Sequence, residues 1–410
     1  EMYRIDGGSQ QGRNDGAKLG HVTLEIYEHG HVAHYHRSYA ECSTEGGPSA
    51  PPVVLRPHVK TTNISNIFVD MRHAWTEELN VAPSGAVDEF RRKKARNDYP
   101  VMALWEMGLR GLRVPLQDLM DAATKRRIEI MFGVGHKFHI YRYGIPTESE
   151  IETIKQHSSI ITELELVLGW ETIDEQVTEI QLLKDETHLP IVLSRVNRND
   201  ASKTSGGKYN HLISHGFTLA EIPEITSFIL KNPSLFDGVQ FTIPRSVNPW
   251  EAGRELQVFK NRTSCKPALY VKSTEASPAE RFNDEISNAI RFGEAVLSGI
   301  GFDIDIILDT FDDADRGYFT RTGLIDRRFN PRIAGQLISE IVRQLNDGSW
   351  KAADSASPEV VDDKGNIIKI GTISDISKDA EWYDPKTGLS GGASSISKVS
   401  SALVVIKSRQ

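Results

Sequence analysis

Between residues 63 and 346 eight short apolar runs recur, at 66–72, 109–115, 137–143, 160–168, 190–196, 238–245, 267–273 and 304–311, with longer stretches of helical spacing between them. Such alternation predicts parallel strands joined by right-handed crossovers, because a parallel strand is reached only through a long connection. Eight units in series favour a closed (β/α)8 barrel of the TIM type over an open doubly wound sheet, which usually stops at about five to seven strands. No GxGxxG follows the first run, so a dinucleotide-binding sheet lacks its fingerprint. The stretch after the second run carries clear helix signals, with Asp118 and Asp121 at its start and Gly135 closing it.

The barrel, residues 61–347, leaves flanks in a chain of 410 residues. Residues 1–60 read as an N-terminal β segment and linker: the alternating runs 21–27 and 31–36 flank Glu28-His29-Gly30, a hairpin signal, and 43–57 is rich in Gly, Ser and Pro. Residues 348–410 read as a small C-terminal β appendage, with strand-like 366–370 and 402–406 and a flexible loop around 388–395. The chain opens at Glu1 directly in strand and turn text, which points to an upstream portion and leaves a targeting segment there open.

A net charge of -8 gives no basis for nonspecific nucleic-acid binding, which wants a basic face. Two cysteines, Cys42 and Cys265, without CxxC spacing indicate a reducing, cytoplasmic compartment. No apolar run nears the roughly 20 residues that cross a bilayer. The expected partner is a small anionic molecule; the oligomeric state is open.

Strand parity nominates the site. On the fourth run Leu164, Leu166 and Leu168 suit packing against helices, which turns Glu163 and Glu165 into the barrel. Two inward glutamates demand a cation, a metal or a proton. The same reading groups Lys272 with Ala268 and Tyr270, Arg245 with Val239, Phe241 and Ile243, Arg113 with Leu109 and Gly111, and Arg72 with Asp70. It predicts a ring of Arg72, Arg113, Arg195, Arg245 and Lys272 at the mouth, matched to carboxylate or phosphate. A structural ion network neutralising Glu163, Glu165, Asp70 and Asp309 is the competing explanation. After the eighth run Asp309 and Asp312 open an acidic segment that, with Asp70, is a candidate for a divalent cation; a solvated turn before a helix capped by Asn330 and Pro331 is the alternative. Asn197 begins a polar loop, 197–211, of the kind that closes over a mouth, and it is no P-loop. His29, His31, His34 and His36 alternate along the hairpin as solvent-facing positions, with chelation as the rarer reading.

Two resemblances add to this. Met2 to Ser9 and Gly20 to Tyr27 resemble the closing strands of a calcineurin-like metallophosphoesterase domain; Gly20-His21 is followed by Val22-Thr23, so the resemblance implies metal ligands upstream. The barrel resembles glycoside hydrolases at fold level: residues 323–331 are similar to the phrase before their last helix, and Glu165 falls where that group places an acid/base carboxylate. Where the group carries its nucleophilic glutamate, this chain has Lys272 with Glu275 three residues later. The leading expectation is therefore a hydrolase related to the metallophosphoesterases whose barrel binds a phosphorylated or carboxylated substrate, with Glu165, Glu163 and Asp309 as catalytic carboxylates and Arg113, Arg245 and Lys272 as clamps. The alternatives are a Schiff-base lyase using Lys272 and a non-catalytic carbohydrate- or partner-binding barrel stacking sugars on Tyr141, Tyr143, Trp170 and Trp250.

Overall fold

A computed structural model describes residues 22–25, 34–37, 64–71, 75–76, 78–80, 94–95, 97–196, 215–273, 284–309, 311–312, 322–326, 328–345, 349–353, 357–392, 394–395 and 404–409. Eight strands coincide with the eight apolar runs: β1 (Ile67–Asp70), β2 (Gly111–Pro115), β3 (Lys137–Tyr143), β4 (Ile161–Leu168), β5 (Ile191–Arg195), β6 (Gly238–Ile243), β7 (Lys266–Val271) and β8 (Asp305–Leu308). All neighbours are parallel, and β8 pairs with β1 while β5 pairs with β6, closing the barrel. Between the strands lie α1 (Tyr99–Glu106), α2 (Ala122–Gly133), α3 (Glu148–Gln156), α4 (Ile173–Thr187), α5 (Ile222–Lys231), α6 (Pro249–Thr263) and α7 (Glu285–Phe302), and α8 (Ile333–Gln344) follows β8.

Each strand turns one apolar face to the helices. Val69, Leu112, Ile140, Leu166, Leu193, Phe241, Leu269 and Ile306, one from each strand, are 0% exposed, and burial of such side chains stabilises by about 1.5–3 kcal/mol each. Gly111 is required where β1 and β2 approach: a Cβ there would lie 2.2 Å from the Ile67 carbonyl oxygen. Capping matches local chemistry. Asp121 accepts from the Thr124 amide at the start of α2, and Asn248 and Asp284 do the same for α6 and α7. Gly135 takes the expected left-handed backbone, φ 92°. The last helix starts later than its signal: Asn330 is bonded to Asp326 and Pro331 bridges Ile325, so Arg332, not Asn330, precedes the first turn.

The C-terminal residues form a six-stranded antiparallel sheet of β9 (Trp350–Ala352), β10 (Glu359–Asp362), β11 (Asn366–Gly371), β12 (Glu381–Tyr383), β13 (Ser390–Gly392) and β14 (Val404–Arg409), in the order β9-β10-β11-β14-β12-β13. It packs on α7 and α8, with Ile370 against Gly293, where a Cβ would come within 2.4 Å of it. Within the loop expected at 388–395, β13 pairs with β12, and Trp382 donates to the Gly392 carbonyl at 2.9 Å. Val22–Glu25 and His34–Arg37 form the antiparallel pair that the hairpin signal predicts. Among the described residues no helix is long and apolar enough to cross a membrane.

Candidate functional site

The lumen holds a connected set of charges, layered from floor to mouth. At the floor, Lys266 and Asp305, the first residues of β7 and β8, pair at 2.6 Å, and Asp305 is hydrogen-bonded to Glu163 of β4. A hydrogen bond between two carboxyls needs a proton. Burial first, and the Glu163 charge second, push the Asp305 carboxyl up to about 7, which places that proton on Asp305 despite the lysine.

In the middle layer, His139 of β3 bonds Glu163 through Nδ1 at 3.1 Å and Glu165 through Nε2 at 3.0 Å. An imidazole that donates from both nitrogens is an imidazolium. Burial alone would lower its pKa, and the two glutamates outweigh burial and raise it to about 9. Arg113 of β2 grips Glu165 with its fork, Nε to Oε2 at 2.7 Å and Nη2 to Oε1 at 3.0 Å, and reaches Asp70 at 3.3 Å with Nη1. Its guanidinium lies 3.9 Å from the centre of the Tyr141 ring. With the Gln240 amide nitrogen turned toward Glu165, it donates to both carboxylate oxygens at 2.9 and 2.8 Å, and its carbonyl accepts from His215 Nδ1 at 2.7 Å. Burial favours the neutral acid at Glu165, but Arg113 and His139 prevail and hold it well below the usual carboxylate range.

At the mouth, the Tyr270 hydroxyl stands between two carboxylates, 2.5 Å from Asp70 Oδ2 and 2.9 Å from Asp309 Oδ1. A phenol has one proton to donate. Asp70 and Asp309 share that donor. The Ser273 amide donates to Asp309 Oδ2 at 3.2 Å, and the Ser273 hydroxyl bonds Thr322 at 2.7 Å, extending the cluster to the segment after β8.

Of the residues nominated from sequence, the structure joins Glu163, Glu165, Arg113, Asp70 and Asp309 in this one assembly. Lys272 lies on the lumen parity with Ala268 and Tyr270, one residue beyond β7. Two cations are corrected. Arg195 shares its face with Ile191 and Leu193, which pack under helices, and it pairs with Glu221 at 2.7 Å. Arg245 follows Val239, Phe241 and Ile243 onto the helix side, and the lumen face of β6 carries Gln240 and Thr242. The apolar triple decides that parity, since only the helix side offers it a dry partner. Glu165 is corrected as a proton carrier: an ion held so strongly by Arg113 anchors its neighbours and keeps its charge. Of the two residues expected to hold a metal, Asp70 turns its Oδ1 to the Arg113 guanidinium at 3.3 Å, and the backbone of Asp312 bridges Ile325 in the segment after β8. Among the described residues no three His, Cys, Asp or Glu side chains form a group able to hold a metal ion. Of the aromatics, Trp250 is buried on α6 against Phe302 and Trp170 packs on Phe217 and Phe228, whereas Tyr141 and Tyr143 cluster with Val167 in the lumen. Arg72, Asn197, His211 and Glu275 lie outside the described residues.

His139, Gln240, His215 and Tyr270 were not singled out from sequence as site residues. Parity already set His139 beside Tyr141 and Tyr143, and Tyr270 beside Lys272, so the signal existed as a shared face without a partner to give it meaning.

No protein-family model and no curated protein matches the chain, so the likeness of the first forty residues to a metallophosphoesterase has no support from either. Among solved structures, a family 39 glycoside hydrolase from the gut symbiont Bacteroides cellulosilyticus superposes with a TM-score of 0.51 at 11% identity, over 95% of this chain and 86% of that one. The chain thus resembles family 39 glycoside hydrolases in fold. An N-acetylneuraminate lyase from Fusobacterium nucleatum overlaps at TM-score 0.30 and 12% identity, covering 60% of this chain and 69% of that one. A gamma-CGTase from alkalophilic Bacillus clarkii does so at 0.38 and 9%, covering 84% and 70%.

Proposed function

We propose that the chain is a hydrolase of glycosidic bonds whose substrate carries a carboxylate or phosphate and binds over the C-terminal ends of the strands. The observation that carries this reading is the meeting of Asp70 and Asp309 at one phenol oxygen, 2.5 and 2.9 Å away, in front of the Arg113–Glu165 pair. Glycoside hydrolysis uses two carboxyl groups, and Asp70 and Asp309 stand as such a pair on one hydroxyl. In this reading Asp309, held by the Ser273 amide and Tyr270, faces the reacting carbon. Arg113 and Glu165 keep Asp70 in place, and Lys272 attracts the anionic substituent. The fold likeness to a glycoside hydrolase agrees with this and assigns no residue.

Assay of a panel of 4-nitrophenyl glycosides, neutral sugars and the corresponding uronic acids, tests it. Hydrolysis is expected with preference for the uronic acids, and Asp309→Asn is expected to lower kcat/KM about a hundredfold, the scale of a lost acid or base, while the thermal midpoint stays near wild type. No turnover across the panel, or full activity in the variant, rejects the reading; binding without turnover favours the non-catalytic carbohydrate module.

A second reading draws on the placement of Lys272 on the lumen parity of Tyr270, as a Schiff-base lysine would stand. It expects borohydride with pyruvate to add mass to the peptide containing Lys272, and an unmodified peptide rejects it.

A further inference from the structure

Carbonyls at the C-terminal ends of parallel strands run out of ladder partners, and where they are buried other donors must serve them. Five of them converge on Arg291 of α7, itself buried. Its Nε donates to the Lys272 carbonyl at 2.8 Å, its Nη1 to the carbonyls of Arg245 and Val247, and its Nη2 to those of Ile243 and Pro244 at 3.3 and 2.7 Å. A guanidinium carries five N–H donors in a rigid fork, so one side chain ties the end of β6 to the end of β7.

The Lys272 carbonyl belongs to the same planar peptide group as the Ser273 N–H, which donates to Asp309 Oδ2 at 3.2 Å. Arg291 on one side of that plane therefore sets the direction of the donor on the other. Its charge also strengthens that donor, because hydrogen bonds in a chain polarise one another. One turn earlier on α7, buried Asn288 donates from Nδ2 to the Thr322 carbonyl at 3.3 Å, and the Thr322 hydroxyl bonds the Ser273 hydroxyl at 2.7 Å. Thus α7 holds Ser273 twice, by its amide and by its hydroxyl. The Asp309 amide donates to the Val271 carbonyl at 3.2 Å, so carboxylate and donor hang from one stretch of chain.

A clamp on the loop after β6 explains the four bonds to residues 243–247. It does not call for the fifth. The Lys272 amide already joins β7 to β6 through the Ile243 carbonyl at 3.1 Å, and the bond from Arg291 to the Lys272 carbonyl is the one that bears on Asp309. We propose that Arg291, with Asn288 beside it, is a positioning residue that holds Asp309 in its reactive geometry through Ser273. This rests on the glycosidase reading above, in which Asp309 faces the reacting carbon. Arg291 acts on the carboxylate and not on the substrate, so its loss falls on kcat and leaves KM.

The test has two arms. In the first, Arg291→Lys, which keeps the charge and loses the fork, is made in the wild type and in the Asp309→Asn background. Both are assayed on 2,4-dinitrophenyl glycosides of whichever sugar the wild type cleaves. In the wild type kcat is expected to fall about tenfold or more with KM little changed, since small misplacements of a reacting group are costly. In the Asp309→Asn background the same substitution is expected to change kcat by no more than about twofold, because the group it positions is gone. A merely structural role lowers both by the same factor, and equal factors overturn the proposal. In the second arm, deuterium exchange at the Ser273 amide of the full chain is followed by mass spectrometry. Faster exchange in Arg291→Lys, with β2 to β4 unchanged, is expected; an unchanged rate at Ser273 overturns the proposal whether or not any glycoside is cleaved. Should Arg291→Lys not fold, Asn288→Ala, which loosens Ser273 through Thr322, passes through both arms under the same criteria. If the wild type cleaves no glycoside, the hydrolase reading falls and the kinetic effect with it, while the exchange arm still decides whether α7 fixes the donor to Asp309.

Discussion

Replacing Arg113 with methionine costs the barrel about 3–5 kcal/mol, the range for breaking a buried ion pair by removing one partner. Glu165 is 0% exposed and Arg113 1%, so no water replaces the two fork hydrogen bonds, and Asp70 loses its contact with the guanidinium as well. The imidazolium of His139 and the Gln240 amide remain, which keeps the loss from being larger. Glu165→Gln placed in the Arg113→Met background recovers much of the stability, because it removes the stranded charge while keeping its shape. Urea denaturation of the wild type, both single variants and the double variant closes the cycle. A single Arg113→Met penalty under about 1 kcal/mol, within the range of an exposed pair, shows that the lumen network contributes little. Arg113→Lys falls between: the charge stays and the planar fork is lost.

Thermal stability falls as pH rises from 6.5 to 9, and His139 is the principal cause. Its imidazole, ordinarily near 6.5, is raised to about 9 in the folded chain. Between those values the native state keeps a proton that the unfolded chain releases, so raising the pH favours unfolding. The contribution is complete below 6.5 and gone above 9; at 1.36 kcal/mol per pKa unit it amounts to about 3 kcal/mol. Asp305, raised to about 7, acts in the same direction, since its native proton is lost as pH rises through 7. Glu165 acts oppositely: its pKa is lowered, so its contribution is present above the ordinary carboxylate range and is lost only in strong acid. The optimum accordingly lies on the acid side of neutrality. Thermal melts at constant ionic strength from pH 5 to 9.5 measure this, and His139→Gln flattens the limb between pH 7 and 9. Parallel limbs in wild type and variant mean that His139 carries no native-state proton.

The eight strands were legible because each is a short apolar run with a fixed two-residue period, bounded by helix signals such as Asp121 and Gly135. Glu163, Glu165 and Arg113 were legible for the same reason: leucines on one face of β4 leave only the lumen for the glutamates. Arg195 and Arg245 were misplaced by reading the period without choosing the face. On β6 the larger apolar set, Val239, Phe241 and Ile243, goes to the helices just as Leu164, Leu166 and Leu168 do on β4, and Arg245 goes with it. His139 gave no sign of its role, because an imidazole in a strand is unremarked until two carboxylates on the neighbouring strand stand within 3.1 Å of it.

From the amino acids alone came the periodicity, and with it the barrel and the inward carboxylates, because strand parity is a local property of the backbone. Which charges meet depended on closure: Arg113 reaches Glu165 and Asp70 reaches Tyr270 across 52 and 200 residues. Distances of that kind are set by the stagger of eight strands around a common axis, a quantity that no local pattern of residues contains.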